Sequence, residues 1–480
     1  MNKPRCVTKA CGIFLLWATG AIILPGQTLT TLHSFNGTDG SYPRAALVQA
    51  TNGNLYGTTA ASGTSARGTI FKITSSGTLT TLYTFCPNNS HCSDGASPLG
   101  ALAQGSDGDL YGTTDAGGSG HGTIFKSTPD GVLKTLYSFC PHGDCTDGSD
   151  PSAGLVLGTD GNWYGTTSAG GVSGIGTVFK ITPSGELTTL YRFCMQSHCP
   201  DGRNPSSGLV QGNDGNFYGT TQYGGANDDG TVFKITPSGE LTTLHSFDGT
   251  DGDVPNALVQ GTDGDFYGTT ESGGANVFYG TVFKIAPTGQ LTTLHSFCSQ
   301  SGCADGDTLF AGLIQGSDGN FYGTTFIGGA NSNGTVFKIT PTGELTTLYS
   351  FCSQNSCTDG YQPLAAVFQD TNGKLYGTTG YGGSSNACYD GCGTVFSLSV
   401  GLVPFVEAQP TSGNVGVAVN ILGTNLIGAT SVTFNGTAAT FTVKSKSEVT
   451  TTVPAGATTG TVQVVTPGGT LSSNVPFMVN

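Results

Sequence analysis

The stretch "TLTTLHSFNGTDG", Thr28 to Gly40, decides the fold, because it is the second half of a phrase whose first half is missing. It returns at 240 to 252 as "ELTTLHSFDGTDG", but there it follows "GTVFKITPSG". Working outward from it, "YGTT" starts at Tyr56, Tyr111, Tyr164, Tyr218, Tyr267, Tyr322 and Tyr376, about every 53 residues. Such a period marks a solenoid or a propeller. The unit after Pro205 separates the two. "SSGLVQG" reads as a first strand, "NDGN" as a tight turn, "FYGTT" as a second strand and "GTVFKIT" as a third. "PSGE" turns again into "LTTLHSF", a fourth strand in which Leu241, Leu244 and Phe247 recur less regularly than a period of two. Four antiparallel strands in each of seven units predict an all-β, seven-bladed β-propeller over residues 27–401. Small residues at Ala46, Ala101, Gly154, Gly208, Ala257, Gly312 and Ala366 fit seven first strands crowded around an axis. The last unit, "AAVFQDTNGKLYGTT…GCGTVFSLSV", lacks a fourth strand, and Thr28–Gly40 supplies one. The two ends are therefore expected to share a blade, which leaves no open strand edge.

Composition agrees with many short strands. Of 480 residues 77 are glycine and only 10% are charged, which excludes coiled coil and long helices. Residues 1–26 read as a signal peptide: Lys3, Arg5 and Lys9 precede the apolar run Gly12 to Leu24, with cleavage after Gly20 or near Gly26. The run is short for a membrane span, and an uncleaved anchor is the alternative reading. Formal net charge is −14, and the recurrent Lys72, Lys126, Lys180, Lys234, Lys284 and Lys338 belong to the repeat rather than to a basic patch. Nucleic acid and anionic lipid are disfavoured partners.

Beyond the leader, twelve cysteines fall into close pairs: Cys86/Cys92, Cys140/Cys145, Cys194/Cys199, Cys298/Cys303, Cys352/Cys357 and Cys388/Cys392. Five occupy equivalent loops, and the two shorter copies, "FNGTDG" and "FDGTDG", lose both cysteines together. Joint presence or absence favours disulfides over zinc, for which C-x4-C without a matched second pair is poor spacing. Disulfides imply an oxidising compartment: secreted, periplasmic or cell surface. Each closes a tiny loop worth about 2 kcal/mol and is a loop staple; something larger must hold the fold.

The phrases "GTVFKITPSGELTTLYSF" and "GLVQGSDGNFYGTT" resemble the GloVer tandem repeats of bacterial choice-of-anchor surface proteins, over residues 28 to 400. The resemblance implies an exported bacterial protein and brings no catalytic residue. The chain's last residues show neither the sorting motif nor the hydrophobic tail of such anchors. Residues 402–480 instead turn rich in Val and Thr and read as a small β-sandwich. "V-x-F-N-G", "I-x-G-T-N-L" and "V-P-A-G" resemble IPT/TIG immunoglobulin-like domains, which implies a spacer or contact module.

In a four-stranded blade the 1–2 and 3–4 turns share one face, and the 2–3 and 4–1 connections share the other. Here the first set is monotonous and the second varies, from "DAGGSGH" to "GYGGSSNACYDGC", so binding is expected on the second. That face offers Tyr223, Phe278, Tyr279, Phe326, Tyr381 and Tyr389, suited to stacking on sugar rings or to a protein partner; the plainer reading tucks several under their own loops. It also carries Asp39, Asp94, Asp147, Asp201, Asp251, Asp305 and Asp359, each before a glycine. These read as turn aspartates, with calcium as the other reading and no further cofactor indicated. Asp150, Asp228, Asp229, Asp253, Glu271 and Asp307 are more individual acids. His33, His245 and His295 alternate with tyrosine and are structural; His91, His142 and His198 sit in cysteine loops without a catalytic partner. The reading is a non-catalytic binding or structural protein. The alternative is a propeller-type polysaccharide hydrolase or lyase drawing acids from Asp228, Asp229 and Glu271.

Overall fold

The computed structural model describes residues 27–63, 67–87, 92–276 and 278–479; the expected leader and His91 lie outside them. Among the described residues the fold is all-β. Strands between 28 and 399 form seven antiparallel sheets, six of them in chain order over 48–84, 103–138, 156–192, 210–246, 253–296 and 314–350. The seventh combines Phe368–Gln369, Leu375–Thr379 and Thr394–Ser399 with Thr28–Ser34, which pairs Thr28 with Ser399 and Ser34 with Thr394.

One unit shows why these residues make these strands. Phe217–Thr221 and Thr231–Ile235 are buried on both faces except at Lys234, because adjacent sheets cover them on either side. Leu241–Ser246 pairs with the latter strand through a register shift between Val232 and Phe233 that leaves Leu244 as an extra residue. That bulge explains the spacing of Leu241, Leu244 and Phe247: one extra residue returns the side chain to the same face after three positions rather than two. The first strand is shorter than its apolar run suggests, only Val210–Gln211. Ahead of it Asn204 adopts φ 56°, which breaks the ladder before Pro205. Crowding among first strands is real: a Cβ on Gly154 would lie 2.6 Å from the Ala101 carbonyl oxygen, and one on Gly312 equally close to that of Ala257.

The core lies between successive sheets. Tyr111, Ile124 and Phe139 of the second pack with Leu155, Trp163 and Phe179 of the third. In the same way Phe35, Tyr376 and Val395 of the seventh pack with Leu47, Leu55 and Phe71 of the first. Six to eight large side chains per junction, at about 1.5–3 kcal/mol each, outweigh a staple of about 2 kcal/mol.

All six cysteine pairs are joined: Cys86–Cys92, Cys140–Cys145, Cys194–Cys199, Cys298–Cys303, Cys352–Cys357 and Cys388–Cys392. Each is the staple of its loop that the sequence leads one to expect, and at Cys92, Cys199 and Cys303 the backbone carbonyl also reaches beyond that loop. These second cysteines are left-handed, with φ 31°, 46° and 52°. Each carbonyl oxygen accepts from two amides at 2.8–2.9 Å: Gly95 and Gly118 at Cys92, Gly202 and Gly225 at Cys199, Gly306 and Gly329 at Cys303. Gly118, Gly225 and Gly329 belong to the 2–3 connection of the next unit, so the stapled loop also anchors its neighbour. Spacing identifies the covalent partner of a cysteine but not the direction of its carbonyl.

A side-chain clasp that the sequence did not reveal reinforces the junctions. The glutamine ending a first strand reaches back to a turn amide of the preceding sheet: Thr51 N to Gln104, Thr159 N to Gln211, Asn213 N to Gln260, Thr262 N to Gln315 and Ser317 N to Gln369. The first sheet's Gln49 accepts from Thr371 N of the seventh at 3.2 Å.

Residues from 407 onward form two four-stranded sheets and a short parallel pair around Val419, Ile421, Val432, Phe434, Val449, Val464 and Phe477. This β-sandwich meets the turn face of the repeats, where Phe405 N donates to Thr371 O (3.1 Å) and Ser447 Oγ to Thr51 O (3.0 Å).

Candidate functional site

The 4–1 and 2–3 connections meet at a small bridge built alike in every unit. The paired residues are Ser41/Ala61, Ala96/Ala116, Ser149/Ala169, Arg203/Tyr223, Asp253/Ser272, Asp307/Ile327 and Tyr361/Tyr381. Next to each bridge one residue is left-handed: Tyr42, Ser97, Asp150, Asn204, Val254, Thr308 and Gln362 all have φ between 52° and 57°. For β-branched Val254 and Thr308 this conformation is a true outlier, of the kind that persists only where the surroundings fix it. In six of the seven units the surroundings include a following proline, as Pro255 after Val254; Leu309 takes that place after Thr308. Gly393, at φ 91°, leaves room for Pro43, whose Cδ would lie 2.8 Å from any Cβ; Gly68 does the same for Pro98. The backbone is thus constant around the face while the side chains it aims are not.

At the fourth sheet, Arg203 carries the chemistry. Its guanidinium lies 4.9 Å from the Tyr223 ring centroid and binds Asp228 through Nη2–Oδ2 (2.8 Å) and Nε–Oδ1 (3.1 Å). The Arg203 hydrogen bonds hold the Asp228 carboxyl below the usual range. Asp228 is thus held by Arg203, while its charge still acts on the neighbouring Asp229. Asp229 and Glu271 both lie near Asp253, and burial, reinforced by the Asp253 charge, raises both carboxyls. Asp253 accepts from Ser272 Oγ at 2.9 Å. Asp150 is likewise raised by burial and by Asp115, while Asp307 is raised by burial.

The aromatics divide. Phe278 is 73% exposed and Tyr389 98%. Tyr279 packs against the core between the fifth and sixth sheets, and Phe326 sets its edge against Phe310 at 4.9 Å. Tyr381 stacks on Tyr361 (5.6 Å, 20°) and meets Tyr42 edge-on (5.3 Å). Sequence reasoning missed Tyr42, Arg203, Phe310 and Tyr361. All four sit within two residues of the recurrent proline or of Leu309, and that position was their available signal.

The seven turn aspartates each take a donor from the fourth strand. Tyr83, Tyr137, Tyr191 and Tyr349 donate to Asp94, Asp147, Asp201 and Asp359 at 2.7–2.9 Å. His33, His245 and His295 face Asp39, Asp251 and Asp305 at 2.6–3.1 Å. Backbone amides such as Cys86 N and Cys194 N fill further lone pairs. His121 comes within 4.8 Å of the sulfurs of Cys140 and Cys145, which are joined to each other and so do not offer thiolates.

A sequence model described as the Gloeobacter/Verrucomicrobia repeat matches residues 21–210 and 195–396, and one for the IPT/TIG domain matches 405–479. Among curated proteins none matches the chain. Virginiamycin B lyase from Staphylococcus aureus is similar in structure: 15% identity, 78% of this chain and 99% of that one, TM-score 0.51. So is a fungal alcohol oxidase of the AA5 family in complex with copper: 12% identity, 95% and 100%, TM-score 0.53. At these identities the likeness concerns the propeller-like fold alone.

Proposed function

We propose that this chain, which belongs to the Gloeobacter/Verrucomicrobia repeat family and ends in an IPT/TIG domain, is an exported, non-catalytic binding protein that presents its loop face to a carbohydrate or a surface protein. In this reading residues 27–401 are one ring of seven blades, shut by Thr28–Ser34, and 402–480 are a spacer or contact module. The observation that carries the reading is the set of bridges, whose backbone repeats while their side chains run from Ser41/Ala61 to Arg203/Tyr223 and Tyr361/Tyr381. A fold needs the constancy; only recognition needs the variety. Six disulfides support export. No described helix is long and apolar enough to cross a membrane.

Retention of the labelled chain on envelope polysaccharide and envelope protein fractions, with calcium and with chelator, tests this. Binding should fall in R203A/Y223A/F278A and persist in the turn-face variant K180A/K234A. Equal retention of both variants, or none by the parent chain, overturns it.

The raised carboxyls of Asp229 and Glu271 beside Asp253 favour one second reading, a polysaccharide hydrolase or lyase at the fourth and fifth sheets. It requires release of reducing sugar that D229N and E271Q each abolish.

A further inference from the structure

One unit breaks the repeat where the fold asks for nothing. Between "YGTT" and the next "GT" the seventh unit has thirteen residues, 380–392, where the other six have seven to nine. Six sheets form without the extra residues, so these answer to something else. The insertion carries its own cystine, Cys388–Cys392, outside the loops that hold the other five. With the neighbouring Cys352–Cys357 loop it walls a hollow of about 570 Å³ lined by Ser356, Tyr361, Ser385, Asn386, Tyr389 and Asp390.

We infer that this hollow is a saccharide-binding subsite, in which Tyr389 stacks on a sugar ring while Asn386 and Asp390 take its hydroxyls. The inference rests on the reading of the loop face as a binding surface and names its ligand class. Tyr389 is 98% exposed, although an aromatic ring of that size is ordinarily at least partly covered. Its hydroxyl and the side chains of Asn386 and Asp390 have no protein hydrogen-bond partner among the described residues. Beneath them the structure is fixed: Tyr361 stacks on Tyr381, Tyr42 abuts Tyr381, and Tyr361 Oη donates to the Asp390 carbonyl oxygen at 3.1 Å. Two cystines and this tyrosine cluster hold the walls in place, so little ordering cost remains to be met on binding. An amide and a carboxylate side by side supply both donors and acceptors, as the adjacent hydroxyls of a sugar require. A protein partner would call for an apolar centre to the patch, and this hollow is lined by glycine, serine, asparagine and aspartate around the tyrosines.

The test is calorimetric titration of the full chain with cellohexaose, chitohexaose, xylohexaose and maltohexaose. At least one should bind with Kd of roughly 0.05–1 mM, the range of a shallow single site. Y389A and N386A/D390N should each weaken it at least tenfold with melting unchanged, since all three side chains are on the surface. K180A/K234A, on the opposite turn face, should bind as the parent does. Equal affinity of the parent and Y389A overturns the subsite. So does failure of all four sugars while envelope retention persists and still depends on Arg203 and Tyr223; that result leaves the binding-face reading standing. Failure of both measurements overturns both.

Discussion

His245 Nε2 lies 2.6 Å from Asp251 Oδ2, and Tyr349 Oη lies 2.7 Å from Asp359 Oδ2. Two different residues at one strand position thus serve one carboxylate. The alternation of histidine and tyrosine in "TLHSF" and "TLYSF" is substitution between donors of similar reach. The aspartate is the fixed member, since it also accepts from the loop backbone and so ties the fourth strand to the connection that follows.

Asp359 is fully buried and accepts from Tyr349 Oη, Ser353 N, Ser353 Oγ and Gln354 N. Asp359→Ala removes the shared acceptor, leaving Ser353 N and Gln354 N unpaired while Tyr349 Oη and Ser353 Oγ keep only each other, and should cost about 3 kcal/mol. Tyr349→Phe removes one donor and should cost about 1 kcal/mol. Chemical denaturation of the two variants checks the order; equal losses would deny the carboxylate its central part.

Asp370 and Asp305 should give opposite pH signatures. Burial raises the Asp370 carboxyl to about 6, against the hydrogen bonds from Asn372 and Gln49. Its folded value exceeds its unfolded one, so stability is highest below about pH 4 and declines as pH rises through 6. Asp370→Asn should therefore raise the melting temperature at pH 8 and have little effect at pH 4. Burial alone would also raise Asp305, but hydrogen bonds from His295 and Ser299 outweigh it and hold the carboxyl below the usual range. Its contribution is present above the unfolded value and disappears in acid, so D305N should be most harmful near neutral pH. Melting curves at pH 4, 6 and 8 separate the two.

Deleting residues 27–35 removes the strand opposite Thr394–Ser399 and Phe35 from its cluster. The melting temperature of the whole repeat region should drop, not only that of one sheet. An unchanged transition in calorimetry would show that the repeats stand as an open array.

The glutamine clasp is missing at one junction, because Leu157 stands where the other first strands end in glutamine. Leu157→Gln should gain up to about 1 kcal/mol by accepting from the Ser106 amide, and Gln211→Leu should lose a similar amount. Reversed signs in denaturant unfolding would rule out the clasp as a stabilising device.

The turn face shows how far the sequence could be read. Five of its 1–2 turns carry Asp107, Asp160, Asp214, Asp263 and Asp318, each accepting from the tyrosine of "YGTT". The other two have Asn52 and Asn372, which donate to Tyr56 and Tyr376 instead. As text the change is a minor variation in a monotonous turn. In space both lie against the C-terminal segment, where Gly53 faces Ser447 and Gly373 faces Leu402 and Val403, although the sixth unit's Ser317, beside Asp318, also reaches Val403 O.

What is local could be read from the order of residues: strand and turn positions, the recurring four-stranded unit, the partner of each cysteine, and the face on which variety accumulates. Those follow from side-chain alternation, turn chemistry and loops of a few residues, all contained within one repeat. Which groups from distant units meet emerges only in the folded chain. Folding paired Asp228 with Arg203, brought Asp253 beside both Asp229 and Glu271, and set Tyr42 against Tyr381. The physical reason is that such meetings depend on the left-handed residue beside each bridge, which aims its neighbours across the face. No propensity reports that conformation when the residues adopting it are tyrosine, valine and glutamine.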